Sequence, residues 1–214
     1  MNRVTVFSMA ALALVVGLAG CRIKVDRDPE GHDKKVQVET PFGHVQVNTD
    51  QTTAADMGLP VYPGAQIVLD EDHEKSADVS LGFGDWQLRV QVVTYATPDP
   101  QEKVVAFYKQ ALGRYGAVVT CQGKSAVGEP RTTPEGLTCE DDNYRHQVHV
   151  ATGSGKKGIH MDAGSDKDGL ELRTGSRHHQ HIVGFETSGD RKTHFSLVAL
   201  DLPSGSGKSN KRVQ

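Results

Sequence analysis

Trp86-Gln87-Leu88-Arg89-Val90-Gln91-Val92-Val93-Thr94-Tyr95-Ala96-Thr97 is followed, after Pro98, by Asp99-Pro100-Gln101-Glu102-Lys103-Val104-Val105-Ala106-Phe107-Tyr108-Lys109-Gln110-Ala111-Leu112. The first stretch has period two: Trp86, Leu88, Val90 and Val92 fall on one side, Gln87, Arg89 and Gln91 on the other, which predicts a strand with its first side in the core. The second has period 3.6. Val104, Val105, Phe107, Tyr108, Ala111 and Leu112 share one broad face and Lys103, Lys109, Gln110 and Arg114 lie outside it, which predicts a helix over 100–112. Asp99 is placed to cap that helix, Pro100 suits its first position and Glu102 stands where it can reach back to the cap N–H. Gly113 is the expected terminator.

Beyond the helix, 117–121, 137–139 and 147–151 read as short strands between Gly/Pro-rich loops, and 170–174, 181–186 and 195–202 as a C-terminal meander. Before the long strand, 59–65 reads as an extended entry and turn, 66–69 as the start of a strand, and the acidic run 70–74 as a solvated loop. Further back, two alternating runs flank Pro41-Phe42-Gly43. A hairpin closed there sets Val38 against Val45 and Val36 against Val47. Two strands alone are marginal in water, so the valine side must dock on something. The expected fold class is α+β: an antiparallel sheet with one principal helix packed on it, preceded by an N-terminal β-hairpin.

The composition agrees with that class. The 214 residues include 23 Gly and 9 Pro and only 6% aromatics, which suits short strands joined by tight turns. Formal net charge is -3, so no basic surface points to nucleic acid. Segment 22–35 is charged and aperiodic, a tether; 48–58 is a polar linker; 203–214 lacks the apolar content to fold.

At the N-terminus Arg3 precedes an apolar run ending in Leu18-Ala19-Gly20-Cys21. This resembles the lipobox of bacterial lipoproteins. The run is too short and polar for a spanning helix of about 20 residues. The resemblance implies cleavage after Gly20, diacylglycerol on the Cys21 sulfur and retention at a membrane through that lipid. Arg22 in place of Asp after the cysteine implies, by the same resemblance, the periplasmic face of the outer membrane. The domain plan is then 1–20 signal peptide, 21–35 tether, 36–58 hairpin and linker, 59–202 α+β domain and 203–214 disordered tail. The Tyr62-Pro63-Gly64-Ala65 element, the long strand and the capped helix with Val104, Phe107 and Tyr108 also resemble small α+β domains of uncharacterised envelope lipoproteins. That second resemblance implies a fold and no activity.

Motifs for chemistry fail on spacing. Gly153-Ser154-Gly155-Lys156-Lys157 and Gly207-Lys208-Ser209 lack the leading glycine of a phosphate-binding loop, since Val150 and Leu202 hold that place. His73-Glu74 has Ala77 where a second zinc-binding histidine would stand, and Ser154 has Thr152 and Lys156 where the two glycines of a nucleophile elbow would stand. Gly164-Ser165-Asp166-Lys167-Asp168-Gly169 has glycine at two calcium-ligand positions. Among the histidines, His179 and His181 would project from one side of a strand within reach of one metal ion, without a placed third ligand. With Cys21 consumed by lipid in an oxidising compartment, Cys121 and Cys139 are expected to form a disulfide. No cofactor is implied. The expected role is a non-catalytic envelope module binding a protein, glycan or small ligand; a hydrolase with an unrecognised site and a histidine-based metal binder are the alternatives.

Overall fold

The computed structural model describes residues 21–27, 29, 33–69, 76–140, 148–151, 158–161, 169–186 and 189–203. The expected signal peptide, acidic loop, glycine-lysine and calcium-like loops and C-terminal tail beyond Pro203 lie outside these residues. The strands are β1 Arg22–Arg27, β2 Asp33–Thr40, β3 Gly43–Thr49, β4 Gln66–Ile67, β5 Ser76–Phe83, β6 Trp86–Thr97, β7 Val119–Gln122, β8 Ser125–Ala126, β9 Val148–Ala151, β10 Gly158–Met161, β11 Leu170–Gly175, β12 His179–Glu186 and β13 Thr193–Asp201. The α-helix α1, Gln101–Leu112, runs into a 3-10 turn, Gly113–Tyr115. An eleven-stranded sheet runs β1-β2-β3-β5-β6-β13-β12-β11-β7-β8 with β4 on β6, and β9 pairs with β10 in a separate ribbon. Every pairing is antiparallel.

The long strand β6 organises the sheet, but its sides are used differently from the expectation. Val93 and Tyr95 lie in register with Leu197 and Phe195, and with Val104, Tyr108 and Leu112 of α1 they form the main core. Val90 is buried on the opposite side with Val198 and Leu200, Val92 is half-buried there, and Trp86 is exposed. The strand is thus covered on both sides toward its C-terminal end, which a single-sided alternation cannot describe. The expected apolar face of α1 does meet the sheet: Val104, Tyr108 and Leu112 are buried, and Val105, Phe107 and Ala111 pack around them.

The ends of α1 depart from the expectation. Pro100 occupies the N-cap position, without a side-chain cap. Asp99 instead accepts hydrogen bonds from the Tyr62 hydroxyl at 2.8 Å and Lys103 Nζ at 3.2 Å. Its carboxylate is more useful tying 59–65 to the helix start than closing a cap. Gly113 is right-handed helical and continues into the 3-10 turn; the reversal falls at Gly116, with φ 130°.

The N-terminal hairpin has the expected register, with Val36 opposite Val47, Val38 opposite Val45 and Thr40 opposite Gly43. Its docking partner is the sheet itself, because β3 pairs with β5 and the valines join Ala77, Val79 and Leu81. Strand β5 went unread in the sequence, though Ala77, Val79 and Leu81 alternate there. The expected tether also differs: Arg22–Arg27 pairs with β2 as an edge strand, exposed throughout. The expected linker 48–58 carries Ala54 and Met57 into the main core, next to Leu59 at the start of the expected α+β domain. Asp56 folds it by accepting from Thr53 N at 2.8 Å and Thr53 Oγ1 at 2.7 Å, which holds its carboxyl below the usual range.

Candidate functional site

The side of the sheet that carries α1 continues beyond the helix as an open polar groove. Cross-strand register places Gln46, Ser80, Arg89, Asp201 and His179 in one row across β3, β5, β6, β13 and β12. At ~4.8 Å per strand that row is about 19 Å long. A cavity of about 370 Å³ sits over it, lined by Gln46, Asp78, Ser80, Gln87, Arg89 and Asp201, with Leu88.

Arg89 is the centre of the groove. Its Nε donates to Asp78 Oδ1 at 3.0 Å and its NH2 to Asp78 Oδ2 at 2.6 Å, a forked pair that fixes the guanidinium plane. Asp78, with nearby Asp201, holds Arg89 firmly in its charged form. About half of the Arg89 side chain remains exposed, and it lines the cavity. Gln46 and Gln87 add amides, which donate and accept, and Ser80 a hydroxyl. These side chains alternate outward because β5 and β6 put Val79, Leu81, Leu88 and Val90 on the other side.

His179 ends the row. Its Nδ1 lies 2.8 Å from Asp201 Oδ1, and both side chains are exposed. An Asp–His pair suggests acid–base chemistry, but Ser80 is three strand spacings from His179, about 14 Å, so these groups make no nucleophile relay. His181 shares the side of β12 with His179, as the sequence spacing requires. Its ring stacks on Tyr115 with centroids 4.1 Å apart, and its Nε2 lies 3.1 Å from the Met57 carbonyl. Burial lowers the His181 pKa, which keeps the imidazole neutral and in a structural contact. Among the described residues no three His, Cys, Asp or Glu side chains are grouped to hold a metal ion.

Cys121 and Cys139 form the expected disulfide, with Cα atoms 5.5 Å apart. The route differs from paired strands. Cys121 is on β7, whereas 137–139 is a loop in which Thr138 forms an isolated bridge with Thr132. Cys21 is a free, exposed cysteine immediately before β1.

The sequence reading treated Gln87, Arg89 and Gln91 as a solvent side and missed Gln46, Asp78, Ser80 and Asp201 as their neighbours. The legible signal was the polar half of the alternation in β3, β5 and β6; what it lacked was strand order. Comparison of the chain with protein families, with curated proteins and with solved structures found no match.

Proposed function

We propose that this chain is a lipoprotein of the bacterial envelope, held by lipid on Cys21 at the periplasmic face of the outer membrane. Its folded body serves as a non-catalytic binding module. The groove around Arg89 is the observation that carries the binding role. Flat amide, carboxylate and guanidinium groups in one row suit a ligand rich in hydroxyls and amides, because each offers paired hydrogen-bonding atoms in a fixed plane. An envelope glycan has that chemistry. Water-mediated contacts are expected in so open and polar a site.

The test is calorimetric titration of the folded protein with a soluble β-1,4-linked N-acetylglucosamine oligosaccharide. Saturable heat that a Gln46→Ala/Gln87→Ala variant loses supports the reading; these amides contribute to the groove without breaking the Arg89–Asp78 pair. No heat from the parent protein, or equal heat from the variant, would remove the glycan assignment.

A further inference from the structure

Two hairpin tips at the end of the sheet where β1 begins carry exposed large apolar side chains. Phe42 is 84% exposed in the β2–β3 turn, and Phe83 and Trp86 bracket the β5–β6 turn at 50% and 39%. Phe83 and Trp86 face each other with ring centroids 5.9 Å apart. Gly43 allows the Phe83 ring to lie across the neighbouring strand, since a Cβ at that position would run into it. The register then brings in the N-terminus. Arg22 pairs with Glu39, Thr40 with Gly43 and His44 with Gly82, so one step further along the strands Cys21 falls level with Thr40, Gly43, Phe83 and Trp86. Ile23, on the valine side of the sheet, adds a further side chain at 64% exposure.

We infer that this end of the sheet is a membrane-contacting rim, in which Phe42, Phe83 and Trp86 seat in the headgroup region of the bilayer that holds the Cys21 lipid. The inference rests on the proposed lipidation of Cys21. Aromatic side chains concentrate at the membrane–water interface, where an apolar ring meets hydrated headgroups. The lipid alone supplies retention. The rim supplies orientation: four strand spacings, about 19 Å, separate β1 from β6, so lipid and Trp86 hold the sheet at two points. The strands then rise from the surface, and Arg89, three residues along β6 from Trp86, stands ~10 Å above it. That keeps the groove open to the aqueous envelope.

Trp86 is the chain's single tryptophan, which makes its fluorescence a direct probe. Full-length protein is expressed in a bacterial envelope, extracted and reconstituted in phosphatidylethanolamine–phosphatidylglycerol vesicles whose acyl chains carry bromine near the headgroup. Mass spectrometry of the same material reports on Cys21 separately. Blue-shifted Trp86 emission quenched by the brominated lipid, and reduced severalfold in a Phe42→Ser/Phe83→Ser variant with an unchanged circular dichroism spectrum, is the expected result. Emission quenched by aqueous iodide and unaffected by brominated lipid, on protein whose Cys21 carries lipid, overturns the rim while leaving the anchor standing. Protection from both quenchers would mean that a protein surface covers the tips, and it also overturns the rim. Lipid quenching of a chain with unmodified Cys21 would support the rim and refute the anchor.

Discussion

Removing the disulfide by Cys121→Ala/Cys139→Ala should destabilise the protein by about 3 kcal/mol, from the loop-entropy relation applied to its sequence separation of 18. The effect acts mainly on the unfolded chain. In the folded state the intervening loop has its own ties: Val127 N donates to Thr120 O at 2.8 Å, Thr133 Oγ1 to Gly175 O at 3.0 Å, and Arg177 Nε to Gly136 O at 3.1 Å. Leu137 is wholly buried beneath it. The variant should therefore keep its fold while its urea midpoint falls, with a slope no smaller than the parent's because the unfolded chain is less compact. Alanines also remove two buried sulfurs that pack with Val119 and Ala126, so the loss should not be smaller than that for reduction of the parent protein. A double variant within about 1 kcal/mol of the oxidised parent would refute the reasoning and show the loop equally restrained without its bridge.

Further substitutions probe the frame of the site. Tyr108→Phe removes a hydroxyl that accepts from Tyr62 N and donates to Pro60 O, both at 3.2 Å; urea denaturation should show a loss of about 2 kcal/mol, the cost of buried groups left unpaired, and no loss would mean that water replaces the hydroxyl. Arg173→Met should cost ~3 kcal/mol or more because it removes the cation that donates to the buried Glu171 carboxylate, whereas Glu171→Leu/Arg173→Met should cost much less; equal losses would show that the charge is not the cause. The lowered pKa of His181 means that the unfolded chain takes up its proton first, so this group's contribution is fully present above about pH 6.5 and falls as pH drops below it toward the folded pKa. Urea midpoints against pH should flatten in that window in His181→Gln; an unchanged profile would remove His181 from the account.

The α+β class was legible because β6 and α1 each have a clear period, and the hairpin register because Thr40 to Gly43 leaves only one turn position. The ends of α1 were misread since Asp99 had a stronger partner in Tyr62, a contact across 37 positions that local capping rules do not contain. The expected linker failed for a related reason: Ala54 and Met57 are too sparse to show a period, yet each finds a place in the core. The groove was half legible. Its polar residues could be read as one side of each strand, but their meeting depends on β3 lying beside β5 and β13 beside β6, and on His181 being drawn toward Met57 and Tyr115 while His179 stays at the surface.

Anchoring at Cys21 is the claim on which the proposed function and the membrane rim both depend, and intact-mass and N-terminal peptide mass spectrometry of protein taken from native envelope tests it most directly. The account predicts a chain that begins at Cys21 with diacylglycerol on its sulfur, and an unprocessed precursor from Cys21→Ser. An unmodified Cys21 thiol in envelope material, or normal processing of the Cys21→Ser variant, would contradict it.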